Sequence, residues 1–126
     1  MFQLDLKSRK SIYEQITDNI KELILAGALK PEEKLPSVRD LSKTLTVNPN
    51  TIQKAYRELE RQNYAYSVSG VGTFVSKPKI EKIDKKILDE VKKRLASDIK
   101  ELSFIGLSKD EIRKIICSLL EEGGSI

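Results

Sequence analysis

The chain has 126 residues, 39% hydrophobic and 33% charged, a balance that suits one compact domain or a small domain with an appendage and excludes a large multidomain enzyme. Lysine and arginine number 23 against 19 acidic residues, a net charge of +4 that points mildly toward a polyanionic partner. With no histidine and the single Cys117, the chain has no zinc tetrad, no Ser-His-Asp or Cys-His constellation and no internal disulfide, so neither enzyme activity nor a metal or cofactor is expected.

Apolar runs are only a few residues long, and Met1–Asp5 has neither a charged n-region nor an apolar h-region. A cytoplasmic protein with no membrane partner is expected. The excess charge is not spread evenly: residues 1–80 carry 13 basic and 9 acidic groups, whereas 81–126 carry 10 of each. Together with Pro78 and the glycines before it, this predicts a basic module over 1–78 and a neutral helical one over 79–126.

Phe2, Leu4 and Leu6 alternate with polar residues, the pattern of a short extended arm. Ser11 and Glu14 then form a capping box that opens a first helix, with Ile12, Ile16, Ile20, Leu23 and Ile24 on one stripe and Gly27 as its stop. Ser37 caps a second, short helix, with Asp40 near its positive end and Val38, Leu41 and Leu45 inward. Asn48-Pro49 starts a third, since proline at the first helical position loses nothing by lacking an N–H.

The third helix separates into two faces. Ile52, Ala55, Tyr56 and Leu59 fall on one, and Asn50, Gln53, Lys54, Arg57 and Arg61 on the other, where three cations meet no anion. Asn63 suits the left-handed residue that ends this helix. Residues 64–68 and 73–75 are β-prone around Ser69-Gly70-Val71-Gly72, so a hairpin follows. Three helices, the last two joined tightly, and then a hairpin make a winged helix-turn-helix: a mostly α fold with a small β-hairpin.

Beyond the boundary, Ile80, Ile83, Ile87, Val91, Leu95, Ile99 and Leu102 step by 3 and 4 along a long helix. Ser108 and Glu111 form a second capping box, and Ile112, Ile115, Ile116, Leu119 and Leu120 mark a last helix ending at Gly123-Gly124. Two helices with so much apolar surface and so little to cover it predict a dimerisation tail, with Ile83, Ile87, Val91, Leu95, Leu102, Ile112, Ile116 and Leu119 at a homodimer interface.

A charged helix face is by itself most often a solvated surface. Here it follows a turn that projects the helix N-terminus outward, and the residues nearest that end are Asn, Thr and Gln, which hydrogen-bond base edges. Gly70-x-Gly72 reads better as a wing turn than as a phosphate cradle, because no helix or P-loop lysine follows it. Cys117 is assigned no role.

Leu35-Pro36-Ser37-Val38-Arg39-Asp40-Leu41, Val47-Asn48-Pro49-Asn50-Thr51-Ile52, Lys54–Glu60 and Gly70-Val71-Gly72-Thr73-Phe74-Val75 resemble the DNA-binding domain of GntR-family bacterial transcriptional regulators over residues 2–76. The Asn-Pro-Asn-Thr turn and the short tail resemble the YtrA subfamily. That resemblance implies that Arg39 touches the DNA backbone or a guanine, that Asn48, Asn50, Thr51 and Gln53 sit at the start of the recognition helix, and that Ser69 and Gly70 fall on a wing tip that enters the minor groove. The full candidate set for double-stranded DNA is Ser37, Arg39, Asn48, Asn50, Thr51, Gln53, Lys54, Arg57, Ser69 and Gly70. Two positions depart from the family pattern, Glu32 after Pro31 and Asn63, where the family carries glycine.

The function expected is a homodimeric regulator, a repressor that binds a palindromic operator and acts on its own operon and transporter genes. The alternative is a winged-helix interaction module whose basic face binds an acidic protein. No residue identifies a small-molecule effector.

Overall fold

The computed structural model describes residues 4–77 and 83–123. In chain order the elements are α1 (Ile12–Leu25), α2 (Val38–Leu45), α3 (Pro49–Arg61), β1 (Ala65–Val68), β2 (Gly72–Val75), α4 (Lys85–Phe104) and α5 (Lys109–Gly123). The fold is mostly helical with one antiparallel hairpin, as the sequence pattern predicts. The chain divides into two compact units, Met1–Ile80 and Glu81–Ile126.

In the first unit α1 opens on the predicted capping box, Ser11 Oγ accepting the Glu14 N–H while the Glu14 carboxylate accepts the Ser11 N–H. It ends at Gly27, where the Ala28 N–H reaches back to the Leu23 carbonyl. α3 ends by the same device with Asn63 at φ 65°, Tyr64 donating to the Leu59 carbonyl. Tyr64 is thereby committed to the helix end, so β1 begins one residue later than the β-prone run.

α1 packs against α3, and α2 and β1 also pack on α3. The core consists of Ile16, Ile20, Leu35, Leu41, Ile52, Ala55, Tyr56, Leu59, Ala65 and Val75. Each fully buried branched aliphatic is worth about 1.5–3 kcal/mol, and Ile16, Ile20, Ile52, Leu59 and Val75 are all in that state. Tyr56, the one polar-tipped side chain at the centre, donates from its hydroxyl to the Pro36 carbonyl at 2.7 Å, and burial pushes its phenol pKa well up. The bond ties the start of α2 to α3.

The hairpin pairs Ala65 with Val75 through Val68 with Gly72. The chain entering α2 runs alongside β2: Glu32 and Leu35 donate to the Val75 and Thr73 carbonyls, and Val75 donates to Glu33. This third, short edge anchors the wing to the helices. Glu32 turns into it at φ 72°. The two positions where the sequence departs from the family's glycines, Glu32 and Asn63, both have positive φ here, the conformation that glycine adopts most readily.

Over its described residues the extended arm does not form. Residues 6–7 lie in a turn and Leu6 is 85% exposed, because the Asp5 carboxylate accepts the Lys7 N–H and the Gln15 side chain takes both backbone groups of Asp5. Local side-chain bonds have outcompeted strand formation. Phe2 lies outside the described residues.

In the second unit α4 is capped by Asp84, whose carboxylate accepts the Lys86 and Ile87 N–H groups. The cap places Ile83 ahead of the helix; Ile80 and Gly124 lie outside the described residues. α5 opens on the predicted Ser108–Glu111 capping box, whose bonds from Ser108 hold the Glu111 carboxyl below its ordinary pKa. α4 and α5 pack on each other, yet Ile112 is their one buried apolar residue among those described.

Thr46, which ends α2, sits at φ 54°, ψ 50°. A β-branched residue is strained there by about 1–2 kcal/mol. Its side chain is exposed, so relief of strain should dominate on substitution. Thr46→Gly is expected to raise the thermal midpoint by a few degrees, on the order of 1 kcal/mol; differential scanning calorimetry checks it, and an unchanged or lower midpoint contradicts the strain.

Candidate nucleic-acid interface

The turn between α2 and α3 is Thr46-Val47-Asn48. Its left-handed Thr46 lets the Val47 N–H reach the Ser42 carbonyl, and the Ser42 hydroxyl donates to the Val47 carbonyl in return. Ser42 therefore locks the angle between the two helices, a role no sequence signal marked. Asn48 then caps α3, its Oδ1 accepting the Asn50 N–H at 2.8 Å, with Pro49 at the first helical position.

Because Ile52, Ala55, Tyr56 and Leu59 face the core, the opposite face of α3 is presented outward. Asn50, Gln53, Lys54 and Arg57 are exposed on it and Thr51 is half-buried beside them. There is no acidic residue in the first turn. These five residues are brought together on one surface, with Asn48 at its edge.

The cations on this helix differ in what they already hold. Arg61 forms a two-pronged ion pair with Glu58, Nε to Oε1 at 2.9 Å and Nη2 to Oε2 at 2.7 Å, and that pairing holds the Glu58 carboxyl below its ordinary pKa. The expectation that the outer face meets no anion therefore fails at its C-terminal end: Glu58, one turn back, takes Arg61. Lys54 is steadied from outside the helix, its ammonium 4.0 Å from the centre of the Tyr13 ring on α1. Arg57 makes no ion pair with a described residue and projects into solvent.

Ser37 acts first as the cap of α2, accepting the Asp40 N–H at 3.0 Å, and Arg39 is exposed in the first turn that it opens. At the wing the Val71 N–H closes on the Val68 carbonyl, leaving Ser69 and Gly70 exposed at the tip. Gly70 has φ 75° with nothing within 4 Å of where a Cβ would stand, so backbone conformation, not crowding, calls for glycine. Stacking of Tyr66 on Phe74, with centroids 5.6 Å apart, stiffens the hairpin below the tip.

Among the candidate interface residues of the tail, Ile83, Val91, Leu95 and Leu119 are 69%, 44%, 53% and 60% exposed, a large apolar surface for one chain to leave in water. Ile87, Leu102 and Ile116 are half-buried, and Ile112 is buried between the two helices. Leu88, three residues before Val91, is exposed on the same face and was overlooked in the periodic pattern; its i, i+3, i+7 spacing with Val91 and Leu95 was the available signal. Among the described residues no cluster could hold a metal ion and no helix is long and apolar enough to cross a membrane.

The model of the family described as bacterial regulatory proteins, gntR family, matches residues 12–75, from the start of α1 to the end of β2. The chain is 37% identical over 116 residues to the HTH-type transcriptional repressor YtrA of Bacillus subtilis, covering 92% of this chain and 89% of that one. A crystal structure of a transcriptional antiterminator from Listeria monocytogenes matches with a TM-score of 0.79 and 37% identity over 98% of this chain and 92% of that one. The DNA-binding domain of AraR, solved in complex with operator ORE1, matches 60% of this chain and 95% of that one with a TM-score of 0.51 and 36% identity. A helix-turn-helix and wing that match the family from end to end, with a relative alignable along nearly the whole chain, show that this chain belongs to the GntR family of bacterial regulatory proteins and is a DNA-binding regulator of transcription, not an enzyme.

Proposed function

We propose that the chain is a homodimeric repressor that reads a palindromic operator, with residues 1–78 as the DNA-binding domain and 79–126 as the dimerisation tail. The observation that carries the reading is the outer face of α3, where Asn50 and Gln53 stand exposed in the first turns and Lys54 and Arg57 follow. Amides reach base edges and supply sequence preference; cations reach phosphates and supply most of the affinity. Arg39 and the Ser69-Gly70 tip are the flanking contacts in this scheme, Arg39 to the backbone or a guanine and the tip to the minor groove.

One such module is too small for selective binding. The exposed apolar stripe of Leu88, Val91 and Leu95, with Leu119 and Leu120, supports a second copy as its cover. Two modules so joined would read half-sites about 34 Å apart and gain affinity through effective concentration. The YtrA-type resemblance supports a role at its own operon and at transporter genes in the cytoplasm. Binding of an acidic protein by the same face is the rival, and operator selection from a random duplex pool, with matching RNA as competitor, decides between them.

On the selected operator, Asn50→Ala and Gln53→Ala should each cost roughly 1–3 kcal/mol and narrow the gap to random DNA. Arg57→Ala should weaken both DNAs about equally. Titrations of each variant on both DNAs test the assignment, which fails if the specificity ratio is untouched. Gly70→Val, strained at φ 75° and bulkier at the tip, should lower the thermal midpoint by a few degrees and still lower affinity at temperatures well below the melting range. Val91→Glu combined with Leu95→Glu should give a monomer in sedimentation and lose most operator affinity; a stable dimer would contradict the assigned interface.

A further inference from the structure

The chain before α1 carries a basic run, Lys7-Ser8-Arg9-Lys10, that the functional reading has not used. It is not a loose tail. Gln15, whose side chain is 8% exposed, accepts the Asp5 N–H at 2.7 Å and donates to the carbonyls of Asp5 and Lys10 at 2.9 and 3.0 Å. Asp5 accepts the Lys7 N–H through its carboxylate and the Ser8 N–H through its carbonyl, and the Ser8 hydroxyl accepts the Lys10 N–H. The backbone of residues 5–10 is thereby fixed from inside, and its long side chains point away from it.

The three cations of this loop divide as those of α3 do. Lys10 is committed, its ammonium 2.7 Å from the Asp18 carboxylate. Lys7 and Arg9 are exposed and form no ion pair with a described residue, and the one acid within the loop, Asp5, is turned back onto its backbone. Position supplies the rest. Leu4 and Leu6 line a groove with Thr46, Asn48 and Thr51, and Ser11 and Tyr13 line another with Asn50 and Lys54. Both ends of the loop therefore adjoin the N-terminal end of α3, the end that would enter a groove of DNA.

We infer that the loop Asp5–Lys10 is a pre-ordered phosphate clamp, with Lys7 and Arg9 contacting the DNA backbone that flanks the groove occupied by α3. The inference rests on the DNA-reading role proposed for α3. A helix seated in the major groove brings the elements beside its N-terminus against the phosphate ridge, and cations on an already ordered backbone bind without the cost of ordering a disordered arm.

The test is the salt dependence of binding by the full chain to its selected operator and to random duplex. Lys7→Ala combined with Arg9→Ala should weaken both DNAs by the same factor, on the order of a hundredfold or more near 0.15 M salt. It should also make the slope of log K against log salt shallower by about 0.9 per lost contact, on the order of 3–4 for a dimer losing four. Both sites are exposed, so the thermal midpoint should not move. Lys92→Ala combined with Lys93→Ala removes the same charge from the tail and should leave the slope within about one unit of wild type.

A wild-type slope in the Lys7/Arg9 variant overturns the clamp, as does an equal loss in the tail variant, which would make net charge the cause. Loss on the operator alone also overturns it, because backbone contacts carry no base preference. If the unmodified protein prefers no duplex sequence, the α3 reading fails first and the clamp with it. Failure of the clamp alone leaves operator selection intact.

Discussion

The exposed polar face of α3 depends on the turn at Thr46-Val47-Asn48. Ser42 bonds Val47 through both its carbonyl and its hydroxyl, Thr46 accepts left-handed strain to allow it, and Asn48 and Pro49 start α3 at once. The Tyr56 hydroxyl on Pro36 fixes the other end of α2 to the same helix. With both ends of α2 held, α3 has one orientation relative to α2 and α1. Its apolar face is buried in the core, and its polar face is the surface that remains.

The charge of the first unit is sorted by the fold more finely than its net value implies. Arg61, Lys10 and Lys77 face the carboxylates of Glu58, Asp18 and Glu32, while Lys54 rests on the Tyr13 ring. Exposed pairs of this kind add little stability, but they take their cations out of the field a polyanion meets. Arg57, Arg39, Lys7 and Arg9 are outside these pairs. Arg57 shares the exposed face of α3 with the amide side chains of Asn50 and Gln53.

The two units solve burial differently. The first encloses a core of ten described residues, from all three of its helices, its hairpin and Leu35 ahead of α2, enough for a small domain. The second has two well-capped helices and, among its described residues, almost no interior: Ile112 is 7% exposed, and Ile83, Leu88, Val91, Leu95, Leu119 and Leu120 stand in solvent. Capping and periodicity make these helices form; they leave the apolar surface unsatisfied within one chain. Association with another copy is the proposed remedy, and it also supplies the two-fold symmetry that operator reading by a single small module lacks.

Much of this was legible in the sequence because the determining signals are local. The capping boxes at Ser11 and Ser108, Asn48-Pro49, Asn63 and Gly70 specify backbone conformation within four residues, and the inward stripes of α1 and α3 follow from helical period alone. The residues proposed to read DNA follow in the same way, as the complement of the buried face of α3. What required tertiary structure was every feature set by partners distant in sequence or by competing hydrogen bonds. The extended pattern of Leu4 and Leu6 gave way to the Gln15 tether, ten residues from Asp5. Tyr13 came to lie under Lys54, forty-one residues on, and the choice of Lys10 over Lys7 as the partner of Asp18 was made by how the loop folds back on α1. Periodicity states which residues can share a face; only packing decides which of them have already found a partner.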